Sequence, residues 1–419
     1  MYIENKTINK IPSKIVSKRV EDKTFTLQFL PECLYHIENI KTINYKETKL
    51  KTDYLIDIIH SLILKYYFKK ENRFAINATV LKDKYGYLYN YYISYLIDNN
   101  VIALMTQYQT GVTSRIYSLD DDIFKSKIKR YKNYDKVLLR KYKCKFVEMV
   151  GSTIDEKESL IEVEVKEKLV SDLFSVNIEF DRAIFFLDSL KYQDYDIYNR
   201  NVYSVECINN KHIFYHFDAY GRMHTNYTIL KSFIRKNCLM IDGEETCELD
   251  ISNSQPLFLS KIIRDSGTKW VDQNEFELFS YLVESGQYYE YMMSKSKFDK
   301  NTIKKMTYRV LFGRNRSNNK CDILFESNFP TIHNFIKLYK KEFSNYKILA
   351  YDLQKMESNL IFNNIIKTII NIYPDIKIIT IHDSIVFPVK YREIVKSIFN
   401  KKLKELFNNY PCSINYTQK

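Results

Sequence analysis

The sequence predicts an α+β fold with a mainly antiparallel sheet, and three observations predict it. Apolar positions recur at helical spacing in the first half, as in KTDYLIDIIHSLILKYYF over residues 51–68. After about residue 205 the texture changes, and short apolar strands alternate with polar turns. Near the end, KIITIHDSIVFPV sets β-branched and apolar residues on both sides of His382-Asp383-Ser384, the pattern of a tight hairpin.

Size and charge bound the function. At 419 residues with 45% hydrophobic side chains, the chain has room for two or three domains with real cores. A formal net charge of +13, spread along the whole length, suits a polyanionic partner such as nucleic acid. The same richness in Lys, Asn and Tyr also follows from AT-rich coding, so composition leaves both readings open. The seven cysteines form no CxxC pair and no metal-ligand spacing with the seven histidines, which predicts free thiols in a reducing, cytoplasmic setting. The N-terminus lacks an apolar signal core and no run of eighteen apolar residues occurs, so no membrane span is expected. GxxxxGK[ST] is absent, and any unwinding is expected from a separate helicase or replication partner.

Taken in order, residues 1–125 read as a mainly helical region. FAINATVLKDKYG and YLYNYYISYLIDNN read as helices and VIALMTQYQTGVTSRIYSL as two strands around Gly111. That order resembles a winged-helix module, with Gln107 to Arg115 as the wing and Lys82, Lys84 and Tyr87 near phosphates. A small helical subdomain with a packing hairpin is the alternative. Residues 126–205 read as a helical linker region. Its basic run from Ser126 to Lys143 and the acidic stretch from Asp155 to Lys168 read as solvated helical faces. Residues 206–419 carry the chemistry.

CELDIS reads as a strand in which Leu249 and Ile251 alternate with Glu248 and Asp250, running into the turn SNSQ; Pro256 then opens a helix at its first position. Asp250 thus lies at a strand end, where a lone Asp can equally be a cap. The hairpin tip holds Asp383 outward. Two strands that each deliver a carboxylate to one point suit Mg²⁺, with Mn²⁺ as a substitute, because hard cations prefer oxygen ligands. Two such ions about 3.5–4 Å apart serve nucleotidyl transfer. Between the strands, DKNTIKKMTYRVLFG reads as a helix with Lys300, Lys304, Tyr308 and Phe312 at intervals of four, ended by Gly313. Cations followed by aromatics suit a triphosphate followed by sugar and base, and an amphipathic helix with a solvated basic face is the plainer alternative.

These segments resemble motifs A, B and C of the family A DNA polymerases and their relatives, the bacteriophage-type single-subunit RNA polymerases, over roughly Gly221 to Val389. The resemblance implies a right-hand palm with helical fingers, preceded by a thumb-like region at 126–205. It also implies metal binding by Asp250 and Asp383, triphosphate neutralisation by Lys304 and Lys300, and a nucleotide pocket walled by Tyr308, Phe312 and Gly313. GRMH resembles the family's Gly-Arg turn and implies that Arg222 contacts nucleic acid, as would His382 and, from LQKMES, Gln354. Gln255 stands where the DNA polymerases carry the glutamate that screens the ribose 2′ position, Phe312 lacks the usual tyrosine hydroxyl, and Ser384 follows the RNA polymerase pattern. The sugar of the product therefore stays open.

The spacings are 54 residues from Asp250 to Lys304 and 79 from Lys304 to Asp383, and the second interval is compact for this family. The expectation is a template-directed nucleotidyltransferase with DNA or RNA template, primer and nucleoside triphosphates as partners. A compact DNA polymerase of a phage or mobile element is favoured. A single-subunit RNA polymerase or primase is the alternative, and a non-catalytic nucleic-acid-binding replication protein is the further one.

Overall fold

The computed structural model describes residues 25–69, 72–107, 115–141, 161–218, 220–268, 270–315, 320–407 and 412–418. The chain divides into two units, Met1–Ser152 with Ile184–His212, and Thr153–Ala183 with Ile213–Lys419. The stretch 126–205 is therefore not a segment of its own: both units draw on it. Helices and several small antiparallel sheets make up each unit.

In chain order, the first unit contains strand β1 (Thr26–Pro31), the hairpin β2 (Thr42–Tyr45) and β3 (Thr48–Lys51), and helix α1 (Thr52–Lys69). Then come β4 (Phe74–Ile76), α2 (Ala78–Tyr85), α3 (Tyr89–Asp98), β5 (Ile102–Thr106), β6 (Arg115–Leu119), β7 (Ile128–Asn133) and α4 (Tyr195–Asn209). Helix α1 buries Leu55, Ile59 and Ile63 along one stripe, as i, i+4 spacing requires. Strand β1, buried over Leu27–Leu30, pairs antiparallel with β7. A polar knot lies inside this core. The Asp57 carboxylate accepts Gln28 Nε2 at 2.6 Å, the Tyr85 hydroxyl at 2.6 Å and Lys84 Nζ at 2.7 Å, so a wholly buried charge is fully partnered.

Three sequence expectations change here. Strands are as much a part of the first unit as helices, so it is mixed rather than mainly helical. Phe74–Ile76, expected inside a helix, is a strand that pairs with β6 and gives a three-stranded sheet in the order β4-β6-β5. The basic run from Ser126 contributes strand β7, whose residues pair one for one with β1 instead of forming a solvated helical face. The tip of the expected wing, residues 108–114, and the acidic stretch up to residue 160 lie outside the described residues.

The second unit is built on a six-stranded antiparallel sheet. Strands β8 (Val176–Ile178), β11 (Leu239–Ile241), β12 (Glu244–Ile251), β13 (Ile379–Ile381), β14 (Ser384–Pro388) and β15 (Ile414–Gln418) run in the order β13-β14-β12-β11-β8, with β15 also on β12. A separate hairpin joins β9 (Tyr215–Phe217) and β10 (Met223–Thr225). Asp242 and Gly243, at φ 51° and 80°, close the β11–β12 hairpin in the doubly left-handed turn that matches strand twist and calls for an Asp-Gly pair. Helices α5 (Ser254–Asp265), α6 (Tyr288–Ser294), α7 (Lys300–Phe312), α8 (Pro330–Glu342) and α9 (Ile348–Ser358) lie between β12 and β13 in sequence. Helix α5 begins two residues before Pro256, because Asn253 turns left-handed at φ 54° and starts it early. Pro256 is thus its third residue, still within the first turn, where an N–H has no intrahelical acceptor to lose. No helix among the described residues is long and apolar enough to cross a membrane.

Candidate active site

The carboxylates are positioned by strand register. Leu249 and Ile251 are buried while Glu248 and Asp250 occupy the other face of β12, and Asp250 pairs with Ser384 of β14. Asp383, the residue before Ser384, sits in the two-residue turn after Ile381. Its neighbour His382 holds φ at 57°, a left-handed conformation that costs a non-glycine residue about 1 kcal/mol and is maintained by the pairing on either side. Hairpin and strand together bring Asp250 and Asp383 to the wall of one cavity of about 480 Å³, within the usual range for ligand sites.

Helix α7 supplies the facing wall. Asp299 caps it, accepting the N–H groups of Asn301 and Thr302 at 2.8 and 3.0 Å. The buried stripe Ile303, Met306, Val310 and Leu311 fixes its rotation. Lys300, Lys304, Tyr308 and Phe312 then face the cavity. The Tyr308 and Phe312 rings stack 5.3 Å apart at 22°, and Lys304 Nζ lies 5.7 Å over the Tyr308 ring. Lys300 Nζ is 2.6 Å from Glu290, so part of its charge is already answered. Tyr289, from α6, lines the same wall; burial and the nearby Tyr308 push its hydroxyl pKa up.

A polar cluster closes a third side. The Arg222 guanidinium leaves the β9–β10 hairpin, whose turn is held by Asp218 and by Gly221 at φ 83°, and binds Glu357 through Nε at 3.0 Å and through Nη2. The other Glu357 oxygen accepts the Gln255 amide. Glu357 is 1% exposed; burial and the field of Asp383 push its pKa up to about 7, against the pull of Arg222.

Asp250 is the most perturbed carboxylate. Burial, Asp383 and Glu248 push its pKa up to about 8, with Asn415 and Lys304 acting in the opposite direction, and its Oδ1 has no hydrogen-bond partner. An unsatisfied buried carboxylate oxygen facing a second carboxylate fits a divalent cation. Among the described residues no group of three or more His, Cys, Asp or Glu side chains is placed to hold a metal by itself. A cation held by Asp250 and Asp383 would need further oxygens from water or a ligand.

The cavity gathers nine of the residues singled out in the sequence: Arg222, Asp250, Gln255, Lys300, Lys304, Tyr308, Phe312, His382 and Asp383. Gly313 stands just beyond it as the C-cap of α7, and Gln354 is outside its lining. One turn further along α9, Glu357 occupies the place that Gln354 was expected to take. Glu357, Tyr289 and Asn415 were not foreseen. The signal for Glu357 was within LQKMES, a lone acid on the cavity side of an otherwise ordinary helix.

No protein-family model and no curated protein matches the chain. Among solved structures it is similar to the polymerase domain of Pol1 from M. smegmatis, solved in complex with DNA primer-template and dNTP. The two share 13% identity at a TM-score of 0.38, the match covering 55% of this chain and about half (54%) of that one.

Proposed function

We propose that the chain is a template-directed nucleotidyltransferase, with the β12–β14 sheet as its palm and α7 as its fingers helix. The observation that carries this reading is that Asp250 on β12 and Asp383 in the turn that enters the neighbouring antiparallel strand β14 line one cavity, opposite a helix face that presents cations and then a stacked aromatic pair. Mg²⁺ bound by the two aspartates would supply Lewis-acid activation of a 3′-hydroxyl and of the leaving pyrophosphate. Lys304 meets the triphosphate charge and, being exposed without an ion pair among the described residues, is the freer of the two cations. Tyr308 and Phe312 offer a flat wall for the base. Arg222, held rigid by Glu357, presents its remaining donor edge toward the nucleic acid, and His382 extends the same rim.

DNA synthesis is the favoured activity and RNA or primer synthesis the alternative. Gln255 bears on the choice: its amide nitrogen is committed to Glu357 while its Oε1 is buried without a partner. The test is primer extension with Mg²⁺, comparing four dNTPs with four NTPs on DNA and RNA templates. Asp250→Asn and Asp383→Asn are each expected to lower incorporation at least a thousandfold while leaving template binding in place. Failure of the wild-type protein to incorporate either set of nucleotides would remove the reading.

We further propose that the first unit carries a winged-helix module with α3 as its groove-facing helix, a reading supported by the order α1-β4-α2-α3-β5-β6 and by the place of β6 between β4 and β5. Lys84 takes no part in phosphate contact on this reading, because it is turned inward onto Asp57. Lys82, 4.4 Å over the exposed Tyr87 ring, retains that role.

A further inference from the structure

The first unit contains a second cavity, of about 520 Å³, that the nucleotidyl-transfer reading does not use. Three cations line it, Lys127, Arg130 and Lys191, and no carboxylate does. Arg130 forms a rigid floor: its guanidinium is tied to Glu206 at 3.0 Å and to the wholly buried Asn199 at 3.2 Å. Lys127 and Lys191 are different. Both are exposed, and neither makes an ion pair among the described residues. Aromatic rings complete the wall. Tyr195 and Tyr198, three residues apart on α4, stack at 6.2 Å and 21°, and Tyr195 is pinned by the Ile128 N–H donating to its hydroxyl at 3.3 Å. Tyr192, just before α4, is 90% exposed.

A ring so exposed gains little from folding, yet its faces are available for stacking. Aromatic faces alternating with unpaired lysines bind unpaired bases and their phosphates without reading sequence. A duplex, with its bases already stacked, offers these rings no face. We propose that this cavity is a binding site for single-stranded nucleic acid, in which Tyr192 and the Tyr195–Tyr198 pair stack on bases while Lys127 and Lys191 meet two phosphates. The site is independent of Asp250 and Asp383 and stands whether or not the chain polymerises nucleotides.

The test is fluorescence anisotropy of labelled dT15 with the full-length protein in EDTA, over a range of salt concentrations. Lys127→Ala/Lys191→Ala is expected to weaken binding at least tenfold and to lower the slope of log K against log salt by about 1.4, two phosphates at about 0.7 each for single strands. Tyr192→Ala is expected to cost about tenfold, while Tyr192→Phe, which keeps the ring, costs little. All three positions are exposed, so unchanged thermal melting should accompany these losses. With dT15 carrying 5-iodouracil, photocrosslinks in wild-type protein should map to residues 191–198. Crosslinks confined to the second unit, or unchanged affinity and salt slope in both alanine variants, would overturn the proposal. So would dTMP competing as well as dT15 at equal nucleotide concentration, which would assign the cavity to a free nucleotide, or a blunt duplex of equal length competing equally well.

Discussion

Glu357 sits with 1% of its surface exposed between Arg222 and Gln255, whereas Asp250 is half-buried near Asp383 and Glu248 with one buried oxygen unpartnered. The two acids therefore act on stability in opposite directions. Glu357→Ala strands a partly buried guanidinium and a buried amide, and should cost about 3 kcal/mol of unfolding free energy, read by denaturant titration. Asp250→Asn replaces a carboxyl that folding forces to hold a proton near neutral pH beside Asp383 and Glu248, and should raise stability in chelator by about 1 kcal/mol while abolishing nucleotide incorporation, the usual trade at a site strained for function. Gln255→Glu would set a second carboxylate against Glu357 and should destabilise the protein before it alters any choice of sugar. The two aspartates were legible in sequence because each lies within a short strand-and-turn pattern of its own. Glu357 was not, because its meaning rests on Arg222, 135 residues away in sequence, and on Gln255, 102 away. A glutamate on a helix without those partners reads as a solvated face.

At the scale of the element, α7 is defined by what holds its two ends. Asp299 begins it, and Lys340 of α8, 3% exposed, finishes it by donating to the carbonyls of Val310 at 2.6 Å and Gly313 at 2.9 Å. These are carbonyls that a helix C-terminus leaves without intrahelical donors. Lys340→Met should cost about 1–3 kcal/mol in unfolding free energy and raise KM for the nucleotide more than it lowers kcat, since it loosens the helix that carries Lys304 without touching the carboxylates. The stripe of α7 and its end at Gly313 were both legible from spacing. The reason for the glycine was not. It leaves the helix in extended conformation at φ −79°, not left-handed, and glycine is required because a Cβ would run into the Arg309 carbonyl oxygen. Gly313→Ala should accordingly destabilise the helix end, visible as faster amide exchange over residues 309–313.

For the molecule as a whole, the division into two units was hidden from sequence because it depends on pairings such as β1 with β7, whose partners lie about a hundred residues apart and carry no linker signature between them. One buried group in each unit should respond to acid, and the two in opposite ways. In the first, His60 is buried against Phe29 and Tyr203, accepting the Phe29 N–H on Nδ1 at 3.0 Å; burial lowers its pKa to about 3, with Asp57 opposing and Lys84 reinforcing the shift. The unfolded chain takes up a proton below about 6.5 that the folded unit refuses, so stability falls as pH drops from 6.5 toward 3, by about 1.4 kcal/mol per unit. In the second, the raised pKa of Glu357, about 7 against an ordinary 4.5, means that the folded unit binds a proton the unfolded chain has released. Its contribution is present at low pH and is lost as pH rises from 4.5 through 7. Calorimetric melts at pH 7 and pH 5, each compared with a variant that cannot titrate, isolate the two effects from every other group. Relative to His60→Gln, wild-type protein should lose about 2 kcal/mol on going to pH 5; relative to Glu357→Gln, it should gain about 2–3 kcal/mol over the same interval. If either difference is flat with pH, the corresponding group does not carry the shift assigned to it.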